Sequence, residues 1–178
     1  MKLLLLASGS GSLAQAVIDA GFDISAVVSD NPTAEVLKRA AAAGIESNVI
    51  PFRTPREEWN EELFNYVDLK SPNLVVSVGF MRILSAAFLD KFKVINSHPA
   101  LLPKFPGAHA VRDALAAGVL ETGCTVHWVD EGVDTGEIIA QSIVKIESND
   151  NEATLHERIK IAERKLIVET LRKLGARL

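Results

Sequence analysis

Apolar positions along this chain follow two rhythms that take turns. Leu3 to Ala7 is a continuous apolar run, the pattern of a strand buried on both faces. Ile24 to Ser29, Leu74 to Val78 and the short Lys93-Val94-Ile95 read the same way. Ile45 to Pro51 reads as a further strand, and Ile139 to Ile146 as the last. Cys124 to Val129 alternates with period two, as a strand does.

Helical segments lie between these strands. Leu13 to Ala20 predicts a short helix ending at Gly21. Asn31-Pro32 opens a helix through Ala43, closed by Gly44. Thr54-Pro55-Arg56-Glu57 reads as a capping box with Thr54 as N-cap, and Trp59, Leu63, Tyr66 and Val67 give that helix its core face. Ser85 caps a short helix through Asp90, and His109 to Ala117 is a helix ended by Gly118. Thr154-Leu155-His156-Glu157 reads as a second capping box, starting a helix to about Leu174 with Leu155, Ile159, Ala162 and Leu166 inward. Alternating strands and helices predict an α/β fold: a mainly parallel twisted sheet with helices on both faces. No repeat, low-complexity stretch or linker divides it, so residues 1–178 read as a single domain. Ligands of such sheets bind beyond the C-terminal strand ends, where the glycine turn after Ala7, Gly79–Leu84 and Asn96–His98 all fall.

Composition narrows the partners. No apolar run approaches a membrane span, and the N-terminal one is too short for a signal peptide. The single Cys124 excludes an internal disulfide and fits a reducing cytosol, so a cytoplasmic protein is expected. A net charge of −4 without a basic run argues against nucleic acid. An anionic substrate would need local donors.

Several stretches can carry chemistry. Ser8-Gly9-Ser10-Gly11-Ser12 joins a strand to a helix N-terminus, and the N–H groups of Gly11 and Ser12 can cradle a phosphate. The same glycines also suit a plain βα turn. A sharper rival is the dinucleotide pattern: Gly9 to Ala14 satisfies G-x-G-x-x-A, and Asp30 ends the next strand where a ribose-binding acid would sit. Asn96 to Gly107 contains three prolines, cannot be helical, and starts at a strand end. Period two puts Asn96 and His98 on one face, where an amide and an imidazole can stabilise an oxyanion; a polar strand end with one satisfied histidine is the plainer reading. Arg56 sits in a first helical turn, against the helix dipole, a mild hint of a ligand. Cys124 and His127 would point to opposite faces, and with histidines scattered at 98, 109, 127 and 156 no metal site is expected. The acidic loop Asp130 to Glu137 lacks EF-hand spacing. Lys160 and Glu163 can form an i,i+3 surface pair worth about 0.2–0.5 kcal/mol.

Three motifs in order carry a family resemblance: Gly79-Phe80-Met81-Arg82-Ile83-Leu84, then Asn96-Ser97-His98-Pro99 with Leu101-Leu102-Pro103 and Gly107, then Asp134-Thr135-Gly136. From about Lys2 to the final helix the chain resembles the folate-dependent formyltransferases. The resemblance implies a Rossmann-like formyltransferase fold and transfer of the formyl group of 10-formyltetrahydrofolate, as cosubstrate without a metal, to the amine of glycinamide ribonucleotide. It implies Asn96 as oxyanion donor, His98 as its partner and proton relay, and Asp134 as the group that orients His98 or a water and favours the imidazolium. Gly11, Ser12 and Leu13 would take the phosphate, with Arg56, Pro99, Lys160 and Glu163 on the rest of the ribonucleotide. Met81, Arg82, Ile83 and Leu84 would line the folate site together with Asn96 and Asp134. Val129, Asp130 and Val133 would complete it. A cis Leu102-Pro103 bond is also implied.

The chain departs from the common family pattern at Ser10 and Leu13, where asparagines are usual, and at Arg164, where histidine is. It also stops soon after the final helix, and it starts on its first strand; on those grounds the methionyl-tRNA enzyme and formyltetrahydrofolate hydrolase are less expected. A nucleotide-sugar formyltransferase stays open, as do a dinucleotide oxidoreductase and a non-catalytic folate binder. The oxidoreductase leaves Asn96–Asp134 unexplained. The expected partners are small molecules only, with no nucleic acid and no membrane, and the chain acts as a monomer or homodimer.

Overall fold

The computed structural model describes residues 1–176, which alternate strand and helix as the pattern requires. In order they are β1 (Leu3–Leu6), α1 (Ser12–Asp19), β2 (Ile24–Ser29), α2 (Glu35–Ala42), β3 (Ser47–Val49), α3 (Arg56–Lys70) and β4 (Leu74–Ser77). There follow α4 (Ala86–Lys91), β5 (Val94–His98), α5 (Ala110–Ala116), β6 (Glu121–Trp128), β7 (Ile138–Lys145) and α6 (Glu152–Gly175). One α/β sheet runs β3-β2-β1-β4-β5-β6-β7. The described residues group into two compact units, Met1–Ile95 and Asn96 onward.

In the first unit β1 is central, parallel to β2 on one side and β4 on the other, and β2 is parallel to β3. All four residues of β1 are fully buried, so its unbroken leucine run is what a two-sided environment demands. The strand order reverses at β1, a topological switch point. There Ser8 N–H donates to the Gly79 carbonyl at 3.0 Å. The Met81 N–H donates to Ser8 Oγ at 2.9 Å, so the loops after β1 and β4 are tied together.

In the second unit β6 and β7 form an antiparallel ladder from Glu121↔Lys145 to His127↔Ile138, with a register shift at Val126/His127. β6 is buried nearly throughout, while β7 alternates, as an edge strand with one wet face does. Leu155, Ile159, Leu166, Ile167 and Leu171 of α6 are buried. Among the described residues, no helix is long and apolar enough to cross a membrane.

Helix starts differ from the sequence pattern in three places, and one core position differs in burial. Thr54 does not cap α3: Pro55 takes the cap position with extended ψ 148°, leaving Thr54 one residue too early to reach the helix N–H groups. Tyr66 on that helix is only half-buried, its hydroxyl on Glu46 at 3.0 Å. Asn31 does not open α2, because its Oδ1 accepts from the N–H and hydroxyl of Thr33 and makes a turn instead. Finally α6 starts earlier: Asn151 is its N-cap and Thr154 fills the N3 place of a reciprocal capping box. Asn151 outcompetes Thr154 because Asp150, one residue before it, also anchors Arg158 and holds the turn in place.

Candidate active site

The glycine turn is built by close approach. Gly11 has φ 68° and N-caps α1, and a Cβ there would stand 2.6 Å from Val36 of α2. A left-handed backbone and a neighbouring helix together leave glycine as the residue that fits. No side chain caps α1, and a helix start of this kind is one to which an anion can bind. Arg39 Nε donates to the Ser10 carbonyl at 2.8 Å and brings a positive charge to the turn. Leu13 packs inward, so any part it plays in binding falls to its backbone.

Side chains pin the Gly79–Leu84 loop. Besides Ser8, Arg56 Nη2 donates to the Ile83 carbonyl at 2.7 Å. Arg82 Nε donates to Asp30 Oδ2 at 2.6 Å and its guanidinium lies 4.4 Å from the Phe52 ring centroid. The two arginines expected to face ligands therefore hold the loop. Leu84 is buried, while Met81 (67% exposed) and Ile83 (53%) stand out of it as an apolar edge. Asp30, the expected ribose acid of a dinucleotide site, is buried and engaged by Arg82.

The second unit brings Asn96, His98 and Asp134 into one polar cluster and adds His127. Asn96 and His98 end β5, Asp134 lies in the loop after β6, and His127 is near the end of β6. His98 Nε2 is 2.7 Å from the Phe105 carbonyl and Nδ1 is 3.3 Å from Asp134 Oδ2. A carbonyl and a carboxylate can only accept, so the doubly protonated ring satisfies both. His127 Nδ1 is 2.8 Å from the Trp128 carbonyl, so Nδ1 carries the proton there. Its Nε2 lies 3.3 Å from Asn96 Nδ2, from which the neutral ring accepts, and 3.5 Å from Asp134 Oδ1, to which the charged ring donates. Asn96 Nδ2 also lies 3.5 Å from Asp134 Oδ1, a long contact. Asp134 itself has φ 56°, and its Oδ2 accepts the Gly107 N–H at 2.8 Å.

Burial pushes the Asp134 carboxyl up, but the hydrogen bond from His127, that from Gly107 and the charges of both imidazoles outweigh it and hold the group below its ordinary value. Gly136 of the D-x-G motif is needed for packing, since a Cβ there would stand 1.8 Å from the Trp128 carbonyl. That carbonyl is the one His127 uses. Asp130 organises its own loop, taking Gly132 N–H and Thr135 Oγ1. Val133 is exposed, while Val129 and Pro99 are half-buried. The Leu102–Pro103 peptide is cis.

Lys160 and Glu163 do not pair. Lys160 Nζ goes to Glu157 at 2.7 Å. Glu163 is 6% exposed and its Oε1 accepts from Ser97 Oγ at 2.8 Å. Cys124 is buried, its thiol pushed up to about 12 by burial and by Glu163, which removes it as a nucleophile. Among the described residues, no group of three His, Cys, Asp or Glu is arranged to hold a metal ion.

Sequence reasoning missed His127, Ser97, Ser8 and Arg39. His127 had a signal: a histidine at the end of a strand that leads into an acidic loop. Ser97 had one too, as the middle residue of Asn96-Ser97-His98, forced by period two to face away from both. Ser8 and Arg39 grip main chain across long sequence separations, and no local pattern marks them.

Comparison with known proteins gives concordant results. The model of a family described as formyl transferase matches residues 1–171. The phosphoribosylglycinamide formyltransferase of Mycobacterium tuberculosis (strain CDC 1551 / Oshkosh) is 44% identical over 188 residues, covering 98% of this chain and 85% of that protein. The protein of the same name from Escherichia coli (strain K12) is 38% identical over 173 residues, covering 92% and 82%. Among solved structures, phosphoribosylglycinamide formyltransferase from Streptococcus pneumoniae TIGR4 superposes with a TM-score of 0.93 at 35% identity, covering 98% of both chains.

Proposed function

Since the chain belongs to the formyl transferase family, we infer that it is an enzyme of purine biosynthesis, moving the formyl group of 10-formyltetrahydrofolate onto the amine of glycinamide ribonucleotide. The observation that carries this reading is the cluster of one amide, two imidazoles and one carboxylate. Acyl transfer to an amine needs a donor for the oxygen on which charge grows, and a route for the amine proton to the departing nitrogen. The new bond joins the amine nitrogen to the formyl carbon. The bond that breaks joins that carbon to N10 of the folate, which leaves with a proton.

Asn96 supplies the oxygen's donor. One N–H is held by His127, which fixes the amide's orientation, and the long 3.5 Å contact to Asp134 yields to a better acceptor. His98 supplies positive charge and a proton at Nδ1, the nitrogen that faces Asp134. Asp134 stays ionised and receives the proton directly or through water. Gly11 and Ser12 take the ribonucleotide phosphate, with Leu13, Arg56, Pro99, Lys160 and Glu163 toward its remainder. The cosubstrate supplies the formyl group, and the apolar edge of Met81 and Ile83 suits a flat heteroaromatic ring. Arg82, Leu84, Val129, Asp130 and Val133 complete that seat. The reading assigns no metal. It makes residues 1–178 one formyltransferase domain, cytoplasmic, acting as monomer or homodimer on small molecules alone. The engagement of Asp30 by Arg82 speaks against the dinucleotide reading.

The deciding assay offers 10-formyltetrahydrofolate with glycinamide ribonucleotide, with water or with amino sugars as acceptor. Release of tetrahydrofolate with the ribonucleotide alone is expected. Turnover with another acceptor and none with the ribonucleotide would overturn the assignment.

A further inference from the structure

α6 buries one charged residue in a stripe that is otherwise apolar or neutral. Its inward residues are Leu155, Ile159, Glu163, Leu166, Ile167, Thr170 and Leu171. Glu163 follows Ile159 by four positions, where a leucine would continue the stripe. A carboxyl in such a place costs stability unless a partner takes it. Its partner is Ser97, itself buried, whose hydroxyl donates to Oε1 at 2.8 Å. Burial raises the Glu163 carboxyl, and the Ser97 bond with the charges of Lys160 and Arg164 only partly offsets this.

Ser97 is the residue between Asn96 and His98. In a strand the three side chains alternate, so a group that fixes Ser97 from one face fixes the backbone that aims its neighbours on the other. The cluster on that other face depends on contacts of 3.3 Å from Asn96 to His127 and from His98 to Asp134, which small shifts of the strand end would lengthen. We propose that Glu163 is a positioning residue for the reaction, acting through the Ser97 hydroxyl on Asn96 and His98. The inference rests on the reading that Asn96 and His98 serve the chemistry. It gives Glu163 a role separate from any contact with the ribonucleotide, because Ser97 belongs to no assigned ligand seat.

The test starts from Ser97→Ala, which removes the donor and leaves every proposed ligand contact in place. Turnover is expected to fall about tenfold or more, with KM for both substrates within about twofold, since misaimed catalytic groups lose rate rather than binding. Ser97→Thr keeps the hydroxyl and is expected to restore most of the rate. In Ser97→Ala/Glu163→Leu both polar partners become apolar, so the melting temperature is expected to hold while turnover stays low. Wild-type turnover in Ser97→Ala would overturn the proposal, as would a rate loss that tracks only the fraction of folded protein. Failure of the underlying reading looks different: Asn96→Ala and His98→Ala would then keep full activity, whatever Ser97 does.

Discussion

At the loops after β1 and β4 of the first unit side chains hold main chain, and at the Asn96–Asp134 cluster of the second main chain holds side chains. Ser8 Oγ takes the Met81 N–H, Arg56 takes the Ile83 carbonyl and Arg39 takes the Ser10 carbonyl. What these loops present is backbone and apolar edge. In the other unit the Phe105 carbonyl takes His98, the Trp128 carbonyl takes His127 and the Gly107 N–H goes to Asp134. What that region presents is oriented, protonatable side chains. Backbone donors and apolar edges recognise shape and charge. Side chains held by backbone keep defined protonation states, which proton transfer needs. The first region should therefore govern binding and the second turnover.

The largest break of this contrast is Asp134→Asn. Asparagine tolerates the left-handed backbone that Asp134 adopts at φ 56°, so the loop should keep its shape. Both substrates should still bind, and single-turnover rates should drop by roughly 10²–10⁴, the contribution of general acid–base catalysis. The acid limb of the pH–rate profile, which the Asp134 carboxyl sets below its ordinary range, should move or vanish. Near-wild-type chemistry would mean that Asp134 only shapes the turn.

Gly11→Val breaks the other side. The added side chain would meet Val36 at 2.6 Å in a backbone that favours glycine, so the turn must deform. Overpacking of this kind costs about 1–3 kcal/mol. Ribonucleotide binding measured by calorimetry should be lost while folate binding stays nearly intact. Equal loss of both ligands would remove the phosphate assignment. Ser8→Ala is gentler, since it deletes one acceptor under the Met81 N–H. A hydrogen bond worth about 0.5–1.5 kcal/mol predicts a few-fold to tenfold weaker folate binding with turnover at saturation unchanged. A fall in saturated turnover instead would place the loop in the chemistry and erase the contrast.

The same contrast explains what could be read before any coordinates. The strand and helix alternation was legible because β1 and β4 are buried on both faces and the helices carry one apolar face. Asn96 and His98 were legible because two residues in one strand share a face by geometry alone. Asp134 came from resemblance, and His127 was passed over, because their meeting depends on β6 and its following loop returning to the β5 end. The protein partners of the arginines were hidden for a related reason: Arg56 and Arg82 reach carbonyl and carboxylate groups 27 and 52 residues away, which no local pattern reports. Helix starts failed where turn residues competed, as Asn151 did with Thr154. An i,i+3 surface pair of Lys160 and Glu163 is the local expectation, whereas α6 turns Glu163 inward onto Ser97.

The smallest effect sharpens the comparison within the second unit, between the half-buried carboxyl of Asp134 and the buried one of Glu163. Asp134 is held below its ordinary value in the folded chain, so unfolding takes up protons in acid. The stability it contributes is present above the unfolded carboxylate value and is lost as pH falls through the lower folded one. Glu163 is held above its ordinary value, so in the folded chain it keeps a proton that the unfolded chain releases. Its contribution therefore has the opposite sign, and stability declines as pH rises from the unfolded value to the higher folded one. Melting curves of Asp134→Asn and Glu163→Gln from about pH 3 to about pH 8 separate the two. Asp134→Asn should flatten the acid side of the wild-type stability profile, and Glu163→Gln should flatten the decline above it. Gln can still accept from Ser97, so its turnover should exceed that of Ser97→Ala, which ties the thermodynamic reading to the positioning role. If both variants run parallel to wild type at every pH, the two carboxyls sit in equivalent surroundings, and the burial that separates them carries no proton linkage.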